Sequence, residues 1–145
     1  YTEAGLVAKA VAAKGSDAVL FGCDGLDGVA DQVDSSVTNT IEYITPFDAG
    51  AEDEATKSFV EAYKAKYGET PDQFAADAYD AVNVIYEVMK KAGVEDVTID
   101  PSTLCDLAVK TITDSSFSYT GVTGKMTWDA SGACNKEPVI VTLGK

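Results

Sequence analysis

Between a strand-like stretch at Thr38–Phe47 and the β-like end of the chain lie three substantial helical patterns with no strand among them. The first, about 52–67, repeats Ala55, Phe59 and Tyr63 at every fourth position, with Val60 beside the stripe. The second, about 72–92, is the longest: Phe74, Ala75, Ala78, Ala81, Val82, Ile85, Val88 and Met89 give it a wide apolar face. Lys90 and Lys91 suit the negative end of its dipole, and Gly93 follows as a stop. The third opens at Asp100-Pro101, a cap followed by proline at the first helical position. Leu104, Leu107, Ala108 and Ile112 form its stripe, near which Cys105 reads as a buried thiol. Helices alternating with strands indicate an α/β protein. Faces this broad need a sheet to cover, and the four strands legible here (18–21, 38–47, 125–128 and 138–143) are too few for that task.

The chain begins with a helical pattern from Thr2 to Lys14, striped by Leu6, Val7, Ala10 and Val11 and stopped at Gly15. The apolar run Ala18–Phe21 reads as a buried strand. It ends in a turn carrying Gly22, Gly25 and Gly28, with Asp24 between the first two. Ligands of open α/β sheets bind outside the carboxyl ends of the strands, so a carboxylate at Asp24 would face a cleft and suit a small cation such as an amine. Asp-Gly is equally a common turn dipeptide, and the residues alone leave both readings of Asp24 open. The glycine spacing is not the G-x-G-x-x-G dinucleotide fingerprint, so a Rossmann cofactor site is rejected. A short helix is expected at Leu26–Gln32, and the turn Asp129–Gly132 separates the last two strands.

Charge narrows the function classes. Eleven basic residues, all lysine, stand against 24 acidic ones, a net charge of -13 that argues against nucleic-acid binding. With no arginine there is no bidentate anion fork, and with no histidine there is no imidazole base or metal ligand. An enzyme is therefore disfavoured, and no cofactor or metal is expected. The acidic run Glu52–Glu54 lacks the alternating ligands and central glycine of a calcium loop and fits the first turn of a helix. Cys23, Cys105 and Cys134 have no metal-type spacing and read as unpaired thiols, with Cys23 and Cys134 the pair that an oxidising compartment would favour. The aromatics Phe59, Tyr63, Tyr67, Phe74 and Tyr79, at helical spacing, read as packing between helices, as does Trp128 near the chain end. The chain opens at Tyr1-Thr2-Glu3 inside a helix start, as a mature product or a piece of something longer would.

The order FGCDGLDG, a strand ending in TPF, the segment DEATKSFVEAYKAKYGETPDQFAADAYDAVNVIYEVMKKAG and the closing FSYTGVTGKMTWDASGACNKEPVIV resembles the C-terminal portion of a type I periplasmic binding protein of the leucine/isoleucine/valine-binding branch. The resemblance implies a three-layer α/β fold with a mostly parallel sheet and flanking helices, present as a fragment of a two-lobed, hinged receptor. It implies capture of a small aliphatic amino acid for an ABC transporter permease, outside the cytoplasm and with a lipid anchor on the absent N-terminal part. A ligand-sensing domain on the same fold is the alternative. Residues 1–46 would belong to lobe two, 47–123 to lobe one, and 124–145 would return to lobe two, with hinge crossings at Pro46-Phe47-Asp48 and Ser118–Gly124. By the same resemblance Asp24 is the acidic residue that holds the ligand's α-ammonium, a shorter Asp where the family often has Glu. Tyr1 falls at or beside a cleft aromatic. The missing lobe-one sequence also accounts for the helix excess. Without it, the faces of the first two central helices are too apolar to stay exposed, so self-association or a partner from the absent half is expected.

Overall fold

The computed structural model describes residues 2–96 and 98–144. The elements run α1 (Thr2–Ala13), β1 (Leu20–Gly22), β2 (Ile41–Thr45), α2 (Glu54–Tyr67), α3 (Gln73–Lys91), α4 (Pro101–Ile112), β3 (Tyr119–Gly121), β4 (Gly124–Trp128), β5 (Cys134–Lys136) and β6 (Val139–Leu143). The strands form two three-stranded sheets, ordered β1-β2-β6 and β3-β4-β5. In the first, β1 runs parallel to β2 and β6 antiparallel to it. In the second, all pairings are antiparallel.

Local chemistry fixes the helix ends. Asp53 caps α2 by accepting from the Thr56 N–H at 3.0 Å, and Asp72 caps α3 through Ala75 N–H at 2.8 Å. Asp100 caps α4 through Ser102 and Thr103, with Pro101 at the first turn. Gly68, at φ +80, ends α2 in the left-handed conformation that glycine accepts without strain.

Three apolar clusters hold the chain together. Ala8, Val29, Ile41 and Tyr43 pack between α1 and the first sheet. Val84, Val88, Phe117 and Met126 join α3 to the second sheet, with Ala108 and Ile112 of α4 against them. Phe47, Val60 and Ala76 form a third cluster where the chain enters the helices.

Several expectations are corrected. The first strand is Leu20–Gly22, and Phe21 is 64% exposed rather than buried, because it falls on the side of the pleat opposite Leu20. The short helix at 26–32 is instead two single 3₁₀ turns, Asp24–Leu26 and Val29–Gln32, separated by Gly28 at φ +81. Among the described residues six strands replace the four expected. In α2 the buried positions are Thr56 and Val60, not the Ala55 stripe. Cys105 lies exposed on the outer side of α4, and Cys23 and Cys134 are likewise exposed and free. Trp128 packs on Phe117 with ring centroids 5.7 Å apart.

The largest difference is α3. Its buried residues are Gln73, Ala76, Asp80, Val84 and Val88, while Phe74, Val82, Ile85 and Tyr86 of the same helix are exposed. The helix thus buries one side and leaves large apolar side chains exposed on the other. The expected return to the first segment at residue 124 also differs from the strand pairing. β4 and β5 extend the sheet begun by β3, and the chain rejoins the first sheet only at Val139, as β6.

Candidate functional site

The two sheets are connected at two places, through Pro46-Phe47 after β2 and through Glu137-Pro138 before β6. A cavity of about 190 Å³ opens between them, lined by Asp24, Ile44, Thr45, Pro46, Lys136 and Pro138. Asp24 starts the 3₁₀ turn that follows β1, so its carboxylate stands just beyond the carboxyl ends of β1 and β2, where ligands of α/β sheets gather.

The loop that carries Asp24 is fixed from both sides. Its backbone carbonyl accepts from Gln73 Nε2 at 2.9 Å, and Gln73 is buried at the start of α3. Asp27, three residues on, accepts from the Tyr43 hydroxyl of β2 at 3.4 Å and from the Gln73 N–H at 3.3 Å. One carboxylate thus ties the first sheet to the helical segment. Burial, followed by the charge of Asp27 and its hydrogen bond and by the charge of Asp48, pushes the Tyr43 hydroxyl up to about 12. Tyr43 therefore stays a neutral donor toward Asp27 at physiological pH.

The opposite wall is cationic but already paired. Lys136 Nζ lies 2.9 Å from Asp77 Oδ1 and donates to Thr123 Oγ1 at 3.0 Å. The cavity thus carries an acidic residue, Asp24, and a cation, Lys136, that is already paired within the protein. Asp24 is one of the residues lining this cavity. Tyr1 lies outside the described residues.

Sequence reasoning missed Asp27, Gln73 and Lys136. Asp27 sits in the same glycine-rich turn as Asp24, and its spacing from Asp24 was the signal that could have marked it. Gln73 and Lys136 carry no local signal, because they reach the site only through long-range packing.

A family model described as periplasmic binding protein matches residues 2–142, the two-sheet framework and both connections included. The chain belongs to the periplasmic binding protein family. Among solved structures, the periplasmic binding protein chain is similar to the branched-chain amino acid transporter substrate-binding protein LivJ of Streptococcus pneumoniae in complex with isoleucine. The two are 30% identical, with a TM-score of 0.77, over 99% of this chain and 39% of that one. The leucine-binding protein LivK of Thermotoga maritima shares the fold at 23% identity and TM-score 0.72, over 98% of this chain and 39% of the other. A substrate-binding protein of Desulfitobacterium hafniense, in complex with Leu, does so at 24% identity and TM-score 0.68, over 98% and 37%. No curated protein matches. The fold is that of the type I periplasmic binding proteins, and the chain spans less than two fifths of the length of these three solved relatives.

Proposed function

We propose that this chain is part of an extracytoplasmic solute-binding protein that captures a small aliphatic amino acid between two lobes and passes it to an ABC transporter permease. The observation that carries the reading is the Asp24 carboxylate at the mouth of a cavity between the two sheets. Support comes from the isoleucine-bound relative, which aligns with nearly all of this chain.

In this reading residues 2–45 with 139–144 contribute to one lobe and residues 54–136 to the other, with Pro46-Phe47 and Glu137-Pro138 as hinges. The ligand favours the closed form because it touches both lobes only there. Asp24 receives its ammonium, and excluding water from the closed cleft strengthens that pairing. Tyr1 is the second expected contact, on the strength of the family resemblance. The exposed faces of α2 and α3 take the remainder of the two-lobed protein, and the isolated chain self-associates through them.

Native mass spectrometry of the full-length polypeptide that carries this chain tests the reading. It should retain an amino acid of aliphatic mass that Asp24→Ala releases. A preparation with no amino acid, in wild type and after soaking with isoleucine or leucine, would overturn it.

A further inference from the structure

A chain of polar contacts runs from the core of the helical segment into the wall of the candidate cavity. Asp80 is 2% exposed, and its carboxylate accepts from the N–H groups of Val122 and Thr123 at 3.0 and 2.8 Å. It also accepts the Thr123 hydroxyl proton at 2.7 Å. A hydroxyl has one proton to give, so Thr123 Oγ1 is left as an acceptor, and Lys136 Nζ donates to it at 3.0 Å. The same ammonium pairs with Asp77 Oδ1 at 2.9 Å.

The direction of every hydrogen bond in this chain is therefore set, and it ends by turning the Lys136 ammonium toward α3. That orientation matters because Lys136 and Asp24 line one small cavity. A lysine has a flexible four-carbon stem. Released from Asp77, its ammonium would have the Asp24 carboxylate as its natural alternative partner, occupying the place a ligand ammonium needs.

We propose that Asp77 is a positioning residue: by holding Lys136 on α3, it keeps Asp24 open for a ligand cation. Asp77 touches no ligand itself and acts through Lys136. The proposal rests on the reading that this cavity takes the ligand. It adds that the cavity's selectivity for an ammonium group depends on a cation kept in check beside it.

The test uses the full-length polypeptide, titrated with isoleucine. Asp77→Asn should weaken binding about fivefold, the range of one partly exposed ion pair. The double variant Asp77→Asn, Lys136→Met removes the competing ammonium and should return to within about twofold of wild type. A merely structural role for Asp77 would leave the double variant as weak as the single one, and that result overturns the proposal. A ligand-free crystal structure of Asp77→Asn gives a readout that needs no ligand. Lys136 Nζ should lie against the Asp24 carboxylate, and a Lys136 that stays clear of Asp24 overturns the proposal. Failure of wild type to bind isoleucine would count against the functional reading, and the crystal structure would still decide the role of Asp77.

Discussion

In the sheet β1-β2-β6, the centre is built as an alternating strand dictates. Ile41, Tyr43 and Thr45 of β2 are buried, and the residues between them are only partly so. The segment that backs β3-β4-β5 mixes polar with apolar burial, since Val84 and Val88 of α3 pack on Phe117 and Met126. Helix α3 turns Gln73 and Asp80 inward and leaves Phe74, Val82 and Ile85 in solvent. The first region is closed by apolar contact between α1 and its sheet. The second is held by an apolar cluster together with a buried carboxylate, and the broad apolar surface on the other side of α3 is exposed. Apolar residues on a helix thus show that something will be buried, without showing which partner does it.

If the second region depends on Asp80, removing that carboxylate should cost more than any single polar change in the first. Asp80→Ala leaves the buried N–H of Thr123 and the N–H of Val122 without their acceptor, and should lower stability by about 3 kcal/mol. Gly121 tests the same point by crowding, since a Cβ there would collide with the Asp80 carboxylate, and Gly121→Ala should cost about 2 kcal/mol. Urea denaturation followed by circular dichroism measures both. A loss below about 0.5 kcal/mol, the range of ordinary surface substitutions, would show that the second region is not held this way.

The uncovered side of α3 can be tested by making it polar. Val82→Lys with Ile85→Lys should shift the isolated chain from associated to monomeric in sedimentation, while leaving its stability within about 0.5 kcal/mol. On the proposed reading that the remainder of a two-lobed protein covers this face, the same pair should destabilise the full-length polypeptide. An isolated chain that is monomeric without the substitutions would break this half of the comparison.

The first region has its own, smaller signature. Tyr43 is protonated up to about pH 12 in the folded state, against an ordinary value of 10.0. The folded state therefore holds its proton through that window while the unfolded chain loses it, and stability falls as pH rises from 10 toward 12. Tyr43→Phe removes this contribution, so its stability should decline less steeply over that interval. Equal slopes would show that Tyr43 is not held neutral by its burial and by Asp27.

How much of this could be read from the sequence follows the same division. The helix starts near Asp72 and at the Asp100 cap follow from local chemistry and were legible, and the strand expected over 38–47 is present in its middle part as Ile41–Thr45. The place of Asp24 in a turn directly after the first strand was legible too, because a glycine-rich turn after a strand is a local pattern. The strands β3 and β5 are only three residues long and exist through their pairing with β4, so no periodicity marks them. No local signal marks Asp80 within α3, and only the turn brought against it from Val122 and Thr123 makes it a core residue. Lys136 was invisible for the same reason. Its partners lie 59 and 13 residues away.

The central claim is that Asp24 receives the ammonium of an aliphatic amino acid. The most direct measurement is calorimetric titration of the full-length polypeptide and its Asp24→Asn variant with isoleucine and with its des-amino analogue. The account predicts that wild type binds isoleucine and not the analogue, and that Asp24→Asn loses most of the affinity for isoleucine. Equal binding of isoleucine by wild type and Asp24→Asn would contradict it.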